Sequence, residues 1–131
     1  MFGQLQPSVI FGFLCTILSA LWLSAGPLRA DMSLVMVEEP GCIWCARWNA
    51  DIAPIYPKTP EGRAAPLMRI DIRDNPPETI EFARSFQFTP TFVLVVDGQE
   101  SARIEGYPGE DFFWGLLGRM IRDATTTETA G

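Results

Sequence analysis

The stretch EEPGCIWCARWNADIAP, residues 38–54, sets two thiols, Cys42 and Cys45, two residues apart at the start of an unbroken run. Pro40 and Gly41 break the chain ahead of it. From Ile43 to about Ala53 there is no breaker, Ile43, Ala46, Ala50 and Ala53 recur at helical spacing, and Pro54 stops the pattern. The thiols therefore stand at a helix N-terminus, where unpaired N–H groups and the peptide dipoles favour a thiolate.

A Cys-x-x-Cys pair in this position has three main explanations. Zinc needs four ligands, usually Cys or His, and the only other cysteine is Cys15, in an apolar N-terminal segment, while histidine is absent. A closed site would need a dimer or carboxylates, so no metal is expected. Covalent haem attachment is excluded, because Ala46 follows the second cysteine where a histidine would be required. A structural disulfide across two residues closes a very short loop and removes little entropy from the unfolded chain. The redox reading is favoured. A free thiol of pKa about 8.5 becomes half ionised at neutral pH if lowered to about 7, a change of roughly 2 kcal/mol. The helix dipole supplies about 0.5–2 kcal/mol of this, with the Cys45 thiol as a hydrogen-bond donor for the remainder. Cys42 is then the nucleophile and Cys45 the resolving thiol, with no separate cofactor.

Upstream of the pair, Met32–Val37 reads as a buried strand. Before it, an apolar run from about Val9 to Leu23, small residues, Pro27 and Ala30 read as a secretory signal peptide over residues 1–30. The alternative is an uncleaved anchor, since Ser8–Ala25 approaches the length that spans a bilayer. In both cases the remainder is exported, and membrane contact comes only through this segment if it is retained. Cleavage takes Arg29 from the 10 basic residues and none of the 16 acidic ones, leaving a charge of about −7. Such a surface repels phosphate backbones, so nucleic acid is not an expected partner.

Downstream, residues 54–66 hold four prolines and a glycine and read as a rigid irregular connection. Pro66–Ile72 alternates as a second strand; Asn75, Pro76 and Pro77 then open a helix expected to reach about Phe86, with Asn75 as its cap. Thr91–Val96 and Glu100–Tyr107 form a hairpin around Asp97-Gly98. A last helix covers Asp111–Arg122 with Phe112, Leu116, Leu117 and Met120 on its apolar face, and residues 123–131 read as a flexible tail. The order strand, helix, strand, helix, strand, strand, helix predicts an α/β domain over residues 31–122. Its mixed sheet of about four strands has helices on both faces, with two right-handed parallel crossovers and an antiparallel hairpin. The 131 residues suffice for one such core.

Together, Cys42/Cys45, Asp74-Asn75-Pro76, Thr89-Pro90-Thr91, Asp97-Gly98 and Gly106-Tyr107 resemble the thioredoxin-like fold over about residues 33–122. More narrowly, PGCIWCARW followed by APIYPKTPEGRAAPL resembles the periplasmic SoxS-type thioredoxins of bacterial sulfur-oxidation systems. The resemblance implies a cis Pro90 opposite the cysteines, leaving the Thr89 backbone to pair with an extended substrate. Trp44, between the thiols, is expected to be partly exposed and to contribute an apolar docking surface or a shield for the disulfide. Trp48 and Trp114 read as packing residues, Tyr56 as loop packing and Arg47 as a solvated or salt-bridged position. Where thioredoxin carries a buried acid this chain has Met36, so proton transfer at Cys45 falls to water or to Glu38 or Glu39, which otherwise read as a solvated strand end.

The implied activity is thiol-disulfide oxidoreduction in the periplasm on protein thiols and disulfides. It includes reduction of a sulfur-carrier protein and an upstream membrane electron donor. Ile43-Trp44 matches neither the Gly-Pro of thioredoxin nor the Pro-His of strong oxidants, so redox direction does not follow from the motif. An oxidant or isomerase, a redox-sensing binding module and a glutaredoxin-like enzyme are the alternatives.

Overall fold

The computed structural model describes residues 29–130; the expected signal peptide lies almost wholly outside them. Four strands, β1 (Met32–Glu38), β2 (Leu67–Asp71), β3 (Thr91–Val96) and β4 (Gln99–Glu105), form one sheet in the order β2-β1-β3-β4. Three helices join them: α1 (Ile43–Asp51), α2 (Pro60–Ala64) and α3 (Glu110–Thr129). β1 runs parallel to β2, as a strand-helix-strand crossover requires. The second crossover differs from expectation, because β3 pairs antiparallel with β1.

The two central strands are buried on both faces, and side-chain alternation divides their residues between two cores. On one face Leu34, Met36, Phe92 and Leu94 meet Trp48 of α1, its C-cap Ile52, and Phe113 and Leu117 of α3. Here Trp48 packs 5.2 Å from Phe92 and 5.7 Å from Phe113, ring centre to ring centre. On the other face Val35, Val37, Val93 and Val95 are covered by Ile70, Ile72, Ile80, Phe82 and Phe86.

That second cover corrects the expectation of a helix from Pro76 to Phe86. No helix forms there, and a single bridge pairs Glu81 with Gln99. Two local causes act together. A proline pushes the residue before it out of the α region, so Pro77 disfavours a helical Pro76 at the first position. Ile80 and Phe82, two apart, suit an extended chain that turns both inward, whereas helical spacing would separate them. Asn75 accordingly caps nothing, and the helices lie on one face of the sheet.

Residues 54–66 are more ordered than their prolines suggest. A 3₁₀ turn at Tyr56–Lys58 leads into α2, whose first position is Pro60 and whose N-cap is Thr59; the Thr59 hydroxyl accepts from Gly62 N at 3.0 Å and donates to Tyr56 O at 2.7 Å. Tyr56 is buried, donates its hydroxyl to Ala65 O at 2.6 Å and stacks on Trp114 at 6.1 Å. Gly62 is fixed by contact: a Cβ there would lie 1.8 Å from the Tyr56 carbonyl oxygen. Gly62→Ala is expected to cost roughly 1–3 kcal/mol by overpacking against backbone that cannot rotate away. Urea denaturation measures it, and a loss below half a kcal/mol, within about 0.5 of wild type, would show that this connection can shift.

α3 departs from expectation in two ways. Of its expected face, Leu117 is buried and Met120 packs against the core, but Phe112 and Leu116 are exposed, and Phe113 and Ala124 are buried instead. It also continues through the expected tail to Thr129: Ala124 seats in the core, and the hydroxyls of Thr125, Thr126, Thr127 and Thr129 donate to carbonyls one turn back. No helix among the described residues is long and apolar enough to cross a membrane.

Candidate active site

β1 ends at Glu38, and a short turn containing Gly41 at φ +79° delivers the chain to α1. Cys42 is the N-cap of that helix: its backbone is extended, and its Sγ accepts a hydrogen bond from Cys45 N at 3.1 Å. Sulfur thus occupies the position an oxygen fills in an ordinary cap, facing one of the unpaired N–H groups of the first turn. Cys42 and Cys45 are joined in a disulfide with Cα atoms 5.2 Å apart. The two sulfurs differ in access. Cys42 is half-buried, whereas Cys45, one turn in, is 3% exposed within the core that holds Trp48 and Phe92.

The β1–β3 pairing brings a second loop to the same end of the sheet. Val37 faces Thr91, and extending that register by two places sets Glu39 opposite Thr89. The Thr89 hydroxyl donates to Glu39 Oε1 at 2.7 Å, linking the loop before Cys42 to the loop before β3. The Thr89–Pro90 peptide is cis, and Pro90 is buried. Pro90 O accepts from Gly106 N at 2.7 Å, and the buried Thr91 hydroxyl donates to Phe88 O at 2.7 Å. The main-chain N–H and C=O of Thr89 make no hydrogen bond among the described residues.

Trp44 is 50% exposed, with the Arg47 guanidinium 5.4 Å from its ring centre. The exposure of two apolar residues here was not expected from the sequence. Ile43, which helical spacing assigned to the packed face, is 75% exposed, and Phe88, directly before Thr89, is 57% exposed. An aromatic preceding Thr-Pro was the available signal for Phe88; for Ile43 the signal was its place in the first turn, beside the N-cap. Exposed apolar surface thus lies on the first turn of α1 and on the loop before Pro90.

Met36, at the place where the resemblance puts thioredoxin's buried acid, is fully buried. Its strand neighbour Arg69 approaches the Met36 sulfur at 3.5 Å, bonds Glu38 at 2.8 Å and Asn49 at 2.8 Å, and lies 5.7 Å from the Trp48 ring centre. Glu38 is thereby an ion-paired strand end, and Glu39 is a structural partner of Thr89. At the far end of α1, Tyr107 donates to Asp51 at 3.1 Å, and burial, then this bond, pushes the Tyr107 hydroxyl up to about 12. Among the described residues no group of three or more Cys, Asp or Glu side chains is placed to hold a metal.

The chain is similar to the crystal structure of the periplasmic thioredoxin SoxS from Paracoccus pantotrophus in its reduced form. Identity is 57%, covering 72% of this chain and 99% of that one, with a TM-score of 0.70. A thioredoxin of Malassezia sympodialis, Mala s 13, is similar at 17% identity, covering 69% of this chain and 75% of that one, with a TM-score of 0.48. No family model and no curated protein matches the chain.

Proposed function

This chain belongs to the family of the periplasmic thioredoxin SoxS, and from that premise we propose that it is exported and reduces disulfides or blocked thiols of periplasmic proteins, among them a carrier protein of bacterial sulfur oxidation. That it is a thiol-disulfide oxidoreductase follows from its family and its Cys42–Cys45 disulfide. The observation carrying the reading is the asymmetry of the two sulfurs on one helix turn, with the accessible one capped by backbone N–H.

In the reduced enzyme the Cys42 thiolate attacks one sulfur of a client disulfide, forming the mixed disulfide and expelling the client's other sulfur as a thiolate that takes up a proton. Cys45, deprotonated in turn, attacks Cys42 Sγ. The internal disulfide forms, and the second client thiol leaves. Two electrons pass from enzyme to client, so each turnover requires a dithiol donor to restore Cys42 and Cys45. That role suits a membrane electron donor facing the periplasm. The same half-reactions run backwards against a reducing client, with every 30 mV of potential difference worth about 1.4 kcal/mol.

The export reading rests on the apolar N-terminus and on the periplasmic relative. Insulin reduction driven by dithiothreitol tests the activity: the expected result is repeated turnover with many bonds reduced per enzyme molecule. Uptake of a single equivalent and no more would point instead to a redox-sensing binding module. Equilibration against a glutathione buffer fixes the direction, and a potential near that of strong oxidants would overturn the reducing role.

A further inference from the structure

We propose that Glu39 is a positioning residue for client docking: its carboxylate pins the Thr89–Pro90 loop so that the Thr89 main chain faces an extended client strand. The inference rests on the reading of the chain as a reductase of protein disulfides. Three observations carry it. Glu39 enters no ion pair among the described residues, yet its carboxylate accepts the Thr89 hydroxyl at 2.7 Å. A hydrogen bond to a charged acceptor is about twice as strong as a neutral one, which favours the linked geometry at this exposed position.

The second observation is the state of Thr89 itself. Its side chain is engaged while its main-chain N–H and C=O are unbonded, the inverse of a residue serving only to pack. An unpaired main chain at the end of a sheet is what strand addition uses. The third is that β1 and β3 cannot hold this loop by themselves. Pro90 has no N–H to continue the ladder, so past Thr91 the pairing between the two strands ends. The Glu39–Thr89 bond replaces the missing rung. Gly106 N fixes the loop from the opposite side, at Pro90 O.

A client that docks as a strand needs this arrangement, whereas a small disulfide meets only Cys42. The experiment compares rates for insulin and for bis(hydroxyethyl) disulfide, a neutral probe too small to pair with Thr89, in the wild-type protein, E39A, E39Q and T89V. For E39A and T89V the ratio of insulin rate to small-disulfide rate is expected to fall roughly five- to tenfold, mainly through KM. E39Q keeps an oxygen that accepts the Thr89 hydroxyl and is expected to recover most of the ratio. An unchanged ratio in E39A, or a loss in E39Q as large as in E39A, overturns the proposal. Wild-type reaction with the small probe separates these outcomes from failure of the parent reading, since a chain inert towards both substrates would lack the reactive dithiol altogether.

Discussion

Cys42→Ser is expected to abolish insulin reduction, with the rate falling at least about a thousandfold to the uncatalysed dithiothreitol background, and Cys45→Ser to abolish turnover while accumulating a covalent client adduct. The two losses should be equal in steady state and opposite in product if, as proposed, the thiols act in sequence. Without Cys42 no sulfur at the helix N-terminus is accessible, and Cys45, 3% exposed, cannot replace it. Without Cys45 the first attack proceeds and nothing resolves it. Non-reducing electrophoresis of C45S after exposure to a periplasmic extract should show adducts that dithiothreitol dissolves, and their second component names the client. If C42S instead trapped the same adducts, the roles of the two sulfurs would be reversed. Alkylation of the reduced wild-type protein at neutral pH gives an independent check: Cys42 should react much the faster, and equal sluggishness of both thiols would remove the chemical basis for the assignment.

The residues assigned to this chemistry were legible because their signals are local. Cys-x-x-Cys before a breaker-free run defines the helix start, and the cap that Cys42 forms is a property of that start. The hairpin was legible for the same reason: Asp97 and Gly98 take φ +50° and +80°, the paired positive values that an Asp-Gly turn supplies. MSLVMV reads as a buried strand and TFVLVV as a strand of the hairpin, and both prove buried on both sides because neither has a polar face after Ser33 and Thr91.

What was not legible depends on partners distant in sequence. The link between Glu39 and Thr89 spans fifty positions and needs the β1–β3 register to be known. The antiparallel sense of that pairing is likewise invisible to strand-by-strand reading. The tail beyond Arg122 looked too polar to order, yet a single alanine, Ala124, reaching the core and hydroxyls bonding back along the helix sufficed. The irregular cover from Pro76 to Phe88 is the largest miss, and its local causes are reinforced by a partner outside the segment. It is held by β4.

Arg103→Ala is expected to destabilise the fold by roughly 3–5 kcal/mol, the range for breaking one side of a buried ion pair. The side chains of Arg103 and Glu100 are each only 6% exposed and meet in two bonds, at 2.6 and 2.7 Å. Residues three apart on a regular strand point to opposite faces. Here the pairing jumps from Val95↔Glu100 to Leu94↔Ala102, so Ser101 is the extra residue of a bulge that turns Glu100 and Arg103 onto one face.

From there the pair replaces the backbone bonds that a helix would have supplied to the cover. Arg103 donates to Arg84 O at 3.1 Å and Ser85 O at 3.4 Å and lies 5.1 Å from the Phe86 ring centre, while Glu100 accepts from Ala83 N at 2.8 Å. Removing the guanidinium strands a buried carboxylate and frees the segment that leads into Phe88 and Thr89.

The pH dependence has a definite sign. The Arg103 hydrogen bond holds the Glu100 carboxyl below the ordinary glutamate range. The pair's contribution is therefore fully present above about pH 4.3, the unfolded value, and is lost as pH falls through the depressed folded value. In R103A the stranded carboxylate is better off protonated, so the deficit should shrink on acidification rather than grow. Urea unfolding at neutral and acid pH measures both effects. Adding Glu100→Gln to R103A should recover part of the loss at neutral pH by removing the orphaned charge. Hydrogen exchange should place the new flexibility in residues 80–88. A loss in R103A under 1 kcal/mol, well below that range for a buried pair, would mean that the apolar contacts of Ile80, Phe82 and Phe86 hold the cover without it.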